Sequence, residues 1–222
     1  MSLIATSFQL NAGYLIMRPF AQRRYWTTTV KLSVIVTSLF LIILTGISKE
    51  CHAHPHVFID CSIRLEFSGG KLTGIIEKWS FDEMFSSMIL MDYSKNGSGN
   101  IDSNKIAALK KEYFDKLAKD SFFTKMYIDN KVMKFNVASN FVPTVEDGKL
   151  IFSFKLNTGG VPIPSSGASV TVYDDTYYNS IEIAEAGVAG LVPSGLKLKK
   201  GQFKEVAYYF GQVHPDAVRL QR

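Results

Sequence analysis

The chain has 222 residues, 46% of them hydrophobic, with 25 Lys and Arg against 20 Asp and Glu, which is enough for one ordinary domain with its own core plus a short targeting segment. The formal charge of +5 sits mostly in residues 1–53, where Arg18, Arg23, Arg24, Lys31 and Lys49 face only Glu50, leaving 20 basic and 19 acidic residues in the remainder. A near-neutral body without an arginine-rich patch lacks the electrostatic footprint of a nucleic-acid binder, and that class is excluded.

The first element in chain order is a leader of the secretory type: a basic region, the apolar run Leu32 to Ile47, then short side chains. Met17 is a second candidate start. Cleavage after Ala53 makes His54 the new N-terminus and divides the chain into a leader, 1–53, and a single exported domain, 54–222. A cut after Ser48, or an uncleaved inner-membrane anchor facing the periplasm, are the alternatives, and membrane contact is expected only through an uncleaved leader. Lys49 and Glu50 stand where a lipoprotein signal needs small residues before Cys51. Cys51 and Cys61 could pair only if the cut falls upstream of Cys51; otherwise Cys61 is a lone buried thiol.

Three of the four histidines fall within the run Cys51-His52-Ala53-His54-Pro55-His56-Val57-Phe58-Ile59-Asp60. Alternation along a strand puts His54, His56, Phe58 and Asp60 on one face and Val57, Ile59 and Cys61 on the other. Pro55, which cannot donate to a ladder, predicts an edge strand. Two imidazoles and a carboxylate on one face suit a transition metal. The bland reading is a pair of solvated histidines near a terminus. A free amine at His54 would allow a histidine brace, whereas a site built on successive deprotonated amides is excluded by Pro55.

The body then reads as strand, hairpin signal Ser68-Gly69-Gly70-Lys71, and a second strand from Leu72 to Phe81. Asp82 can cap a short helix carrying Phe85, Met88 and Ile89; it is either that cap or a ligand. Ser94 to Lys105 has the rhythm of a calcium loop, but Ser94, Asn96, Ser98 and Lys105 occupy ligand positions, so no calcium site is expected. An amphipathic helix follows to about Lys119, with Ile106, Leu109, Tyr113 and Leu117 on its apolar side. Strands are predicted over Phe123 to Ile128, Val132 to Val137, Phe141 to Val145, Leu150 to Leu156 and Ala168 to Tyr173, with Ile181 to Ala184 and Leu196 to Lys200 as further candidates. Phe203 to Phe210 is ambiguous, and His214-Pro215 is expected at the surface. The sum is an α+β, antiparallel β-rich, sandwich-like domain with one helical insertion after the second strand. Asp174, beside Asp175 and three tyrosines, is either a turn former or a further oxygen donor.

The H-P-H-V-F-I-D run, the W-S-F-D-E-x-F-S-S-M segment and the Y-D-D-T-Y-Y segment, in this order after a signal peptide, resemble a bacterial family described as the periplasmic component of an uncharacterised ABC-type transport system. The likeness covers about residues 52 to 180. Members often accompany nickel/cobalt exporters or permeases, so the resemblance implies a periplasmic, metal-handling role beside an inner-membrane metal transporter or permease. The leading expectation is a non-catalytic protein that binds a divalent transition metal through His54 and His56, with Asp60, Asp82 or Asp174 as oxygen donors. Nickel or cobalt is favoured through the likeness, and zinc or copper suits the chemistry equally. A metal-dependent enzyme, either a brace-type oxidase or a hydrolase with Glu83 as acid/base, is the second class. A partner-binding sandwich with idle histidines is the third.

Overall fold

The structure, a computed structural model, describes residues 30–39, 56–95, 99–129, 131–190 and 193–221, with backbone only at 188–190. It divides into two units, Met1–His52 and Ala53–Arg222. In the first, residues 30–39 form a helix, α1, with Thr37 Oγ1 donating to the Ser33 carbonyl at 2.8 Å. Among the described residues no helix is long and apolar enough to cross a membrane. The rest of the expected leader, its cleavage point, Cys51 and His54 lie outside the described residues.

The second unit begins with β1 (Val57–Ser68) and β2 (Lys71–Phe81). They form the hairpin that Gly69 and Gly70 predict, with φ of 56° and 75° at the turn. Helix α2 (Glu83–Tyr93) follows, and a helical run from Ser103 to Phe123 that passes from 3-10 to α to π and back to 3-10. Eight strands follow among the described residues: β3 (Thr124–Ile128), β4 (Lys131–Lys134), β5 (Ala138–Glu146), β6 (Lys149–Pro162), β7 (Ala168–Val172), β8 (Asn179–Gly190), β9 (Lys197–Gln202) and β10 (Asp216–Gln221).

Two five-stranded sheets result, ordered β5-β6-β2-β1-β8 and β4-β3-β7-β10-β9. All pairings are antiparallel except β1 with β8. The β-rich, sandwich-like α+β architecture expected from the sequence is the one observed, with the helical insertion lying between β2 and β3. One difference matters for the site. Strand β1 is not an edge strand: it is hydrogen-bonded to β2 on one side and β8 on the other. Pro55 lies outside the described residues, and the described ladder begins at Val57.

Alternation along β1 buries Val57, Ile59, Cys61, Ile63, Leu65 and Phe67 and leaves Phe58 and Asp60 exposed. These inward side chains join one hydrophobic cluster drawn from both sheets. Trp79 of β2 stacks on Phe123 at 6.0 Å and meets Phe154 edge-on at 5.1 Å. Phe114, from the helical run, stacks on Phe141 at 4.2 Å and meets Phe154 at 5.0 Å. The run ends in three consecutive left-handed residues, Ser121, Phe122 and Phe123, with φ of 60°, 51° and 56°, a conformation that costs side chains free energy unless the surroundings enforce it. Ser121 Oγ provides part of that enforcement, donating to the Thr124 carbonyl at 2.7 Å and accepting from Phe135 N at 2.6 Å.

Helix α2 starts at Asp82, whose Oδ1 accepts from Phe85 N at 2.8 Å, as the capping signal predicts. Its buried side is Ser86, Ile89 and Tyr93, not Met88, which is 47% exposed. The helix is rotated this way by Ser86, whose Oγ lies 3.3 Å from the Phe81 carbonyl and accepts from Leu150 N at 2.9 Å. Ser86→Ala orphans that buried N–H, so it is expected to lower unfolding free energy by about 1–3 kcal/mol. Denaturant titration measures this.

Candidate functional site

The site predicted from the histidine run lies where β1 enters its sheet. Val57 pairs with Asn179 of β8, and Ile59 pairs with Phe81 at the end of β2. The start of β1, the N-terminus of α2 and the turn before β8 therefore share one rim. His56 N donates to the Tyr178 carbonyl at 2.9 Å, and Val57 N approaches the same oxygen at 3.3 Å. The exposed His56 ring lies against the Tyr178 ring, centroids 4.8 Å apart and tilted by 43°.

Asp82 and Asp174 both reach this rim, and both are structurally engaged. Asp82 Oδ2 accepts from Phe58 N at 2.8 Å while Oδ1 caps α2, so one carboxylate ties β1 to the helix. Asp174 is 5% exposed. Its Oδ1 accepts from Thr176 N at 2.9 Å and Thr176 Oγ1 at 2.7 Å. Its Oδ2 accepts from Asn179 N at 3.1 Å and Asn179 Nδ2 at 2.7 Å. Four donors thus organise the turn that presents the Tyr178 carbonyl to β1. Asp60 points outward, opposite Ser80 and Glu182 on the neighbouring strands. Three residues lie between it and His56, four steps of extended chain or about 13 Å at the usual rise.

Among the described residues, no group of three His, Cys, Asp or Glu side chains could hold a metal ion. His56 offers one imidazole at the rim. His54 and His52, two residues apart in the segment leading to it, lie outside the described residues. His214, expected at the surface, is half-buried, with Nδ1 2.6 Å from the Val206 carbonyl. An open cleft of about 430 Å³ adjoins the rim, with Glu112, Lys116, Asp120, Asp175, Thr176 and Tyr178 among its walls. Near it Lys125, almost wholly buried, pairs with Asp175 at 2.7 Å and lies 3.7 Å above the Tyr173 ring.

A second polar group went unread in the sequence. Glu77 is fully buried between the sheets. Trp79 Nε1 donates to its Oε2 at 2.8 Å, Thr124 Oγ1 lies 2.8 Å from its Oε1, and Cys61 Sγ is 3.9 Å from Oε2. Burial pushes the Glu77 carboxyl up from 4.5 to about 7, against hydrogen bonds from Thr124, Trp79 and Cys61 that lower it. Geometry favours the neutral acid independently. Thr124 Oγ1 is also 2.8 Å from the Phe122 carbonyl, and its single proton cannot serve that carbonyl and a carboxylate together. A protonated Glu77 donates to Thr124 Oγ1, which then donates to Phe122. Burial, and next the Glu77 charge, also raise the Cys61 thiol well above its ordinary range, so Cys61, free and buried, behaves as an inert core residue. The signal was available: Ile75, Glu77, Trp79 and Phe81 alternate, placing Glu77 on the apolar face.

The sequence profile of the DUF1007 family, described as a protein of unknown function, matches residues 39–202. The chain belongs to that family. The DUF1007 match takes in the histidine run, Glu77, α2 and the Asp174 turn, and stops at the end of β9. An uncharacterised 15.5 kDa protein in the trpE 3′ region of Spirochaeta aurantia is 30% identical over 135 residues, covering 57% of this chain and 93% of that protein. An uncharacterised protein of Haemophilus influenzae is 26% identical over 135 residues, covering 60% of this chain and 64% of that one. The chain therefore spans just under two thirds of the second relative's length.

Proposed function

We propose that this DUF1007 protein is an exported, periplasmic, non-catalytic accessory protein that binds a divalent transition metal for an inner-membrane metal transporter or permease. The observation that carries the reading is the anchoring of the histidine run. His56 is fixed through its backbone to the Tyr178 carbonyl at the head of an interior strand, so the run arrives at a rigid rim beside a polar cleft rather than at a free end. Imidazole nitrogens suit nickel, cobalt, zinc and copper, and the resemblance to a periplasmic transport component associated with nickel/cobalt transporters favours the first two. His54 and His56 are the primary ligands in this reading. Asp82 and Asp174 serve the rim chiefly by shaping it, since each of their oxygens already accepts at least one hydrogen bond.

The test is calorimetric titration of the chain beginning at His54 with nickel, cobalt and zinc. Wild type is expected to bind one ion, and His54→Ala with His56→Ala to bind none. Because imidazole ligates only when neutral, affinity should fall on acidification. Equal inertness of wild type and double variant would overturn the reading.

A further inference from the structure

We propose that the outer face of α2 is a thioether site for a soft monovalent cation, Cu(I) or Ag(I), distinct from the histidine rim and independent of the reading given for it. Three of the seven methionines of the chain, Met84, Met88 and Met91, fall within this one helix. They are 73%, 47% and 80% exposed. At about 100° per residue these positions lie within an arc of roughly 60° on the helix surface, and the steps of four and three residues make Met88 the neighbour of both others. Met84 and Met91 stand about 10.5 Å apart along the axis, too far to share an ion, but two bonds of reach beyond each Cβ let Met88 share one with either of them, in the two-coordinate geometry that suits Cu(I).

The three methionines lie outside the buried side of the helix, which Ser86, Ile89 and Tyr93 supply. The helix that carries them is fixed in place by the Asp82 cap, by the Ser86 hydroxyl and by the bond from Ser94 N to the Leu90 carbonyl. The charged residues of the helix itself are Glu83 and Asp92, and the Lys105 ammonium meets it only at its C-terminal end, donating to the Asp92 carbonyl at 2.6 Å. Thioether sulfur is a soft, neutral donor that selects Cu(I) over harder divalent ions. Binding involves no redox change when the metal is supplied as Cu(I), and a thioether has no proton to gain on acidification.

That last property separates this face from the histidine rim. Cu(I) binding is measured anaerobically by competition with a colorimetric Cu(I) chelator, on the full chain with Cys51 replaced by Ser, at neutral pH and at about pH 5, where imidazoles are protonated. One Cu(I) per chain is expected to remain bound at the lower pH, in the Cys51→Ser chain and equally after His52→Ala, His54→Ala and His56→Ala. Combined Met84→Leu, Met88→Leu and Met91→Leu should lose that equivalent while leaving the circular dichroism spectrum unchanged, since leucine keeps the volume and the helix propensity. Binding unchanged in the leucine variant, as expected of an apolar docking face for a protein partner, would overturn the proposal. So would the absence of any Cu(I) bound at the lower pH.

Discussion

Glu77→Gln is expected to flatten the dependence of stability on pH. In the native protein the Glu77 carboxyl is raised from 4.5 to about 7, so between those values the folded chain holds a proton that the unfolded chain releases. The contribution is fully present below about pH 4.5, is lost as pH rises towards 7, and levels off above. A shift of this size corresponds to something on the order of 3 kcal/mol. Glutamine keeps an oxygen for Trp79 Nε1 and presents an N–H to Thr124 Oγ1, freeing that hydroxyl for the Phe122 carbonyl. The variant should match wild type near pH 5 and exceed it by a few kcal/mol near pH 8. Glu77→Ala, by contrast, leaves the buried Trp79 and Thr124 groups short of a partner, and should cost about 3 kcal/mol at acid pH. Urea unfolding across that pH range decides the matter; a Gln variant with the wild-type slope would show that Glu77 is already ionised in the fold.

The second large effect is expected at Asp174. Asp174→Ala removes an acceptor, itself 5% exposed, that gathers four donors in the turn. Hydrogen bonds to a charged group are worth more than neutral ones, and a loss of about 3 kcal/mol is expected even with water re-entering the turn. The loss has a direction as well as a size. Tyr178 then loses the frame that aims its carbonyl at His56 N and Val57 N, so those amides should surrender exchange protection ahead of the β2–β6 ladder. Asp174→Asn, retaining one carbonyl oxygen, should fall between. If protection is lost evenly over the whole domain, the turn is not the local organiser described here.

The legibility of this chain follows the reach of each signal. Glycines at the β1–β2 turn, the Asp82 cap and the alternation of β1 are local chemistry, and all appear where the residues predict them. What local pattern could not supply was neighbourhood. Nothing within the histidine run says that β8 will pair with β1 in parallel, so a proline beside a histidine suggested an edge where the sheet has an interior strand. Strand β10, Asp216–Gln221, was missed because its short Ala-Val-Arg-Leu core borrows definition from β7 and β9. The helical run passed Lys119 and continued to Phe123 through left-handed residues that no propensity favours, held by Ser121. Within the candidate site, the turn-former reading of Asp174 and the capping reading of Asp82 describe what these residues do in the fold.

The pairing of β1 with β8 also governs the order of assembly. The hairpin of β1 and β2 closes through a two-residue turn, whereas Val57 meets Asn179 only after more than a hundred intervening residues have been laid down. Closing so long a loop costs entropy before any contact repays it, and chains built this way reach their native state slowly. Until β8 arrives, one flank of β1 offers unsatisfied N–H and C=O groups to any passing strand. The histidine-bearing end of the molecule therefore acquires its final shape late, and a newly made chain is most prone to aggregate through the very strand that later anchors His56.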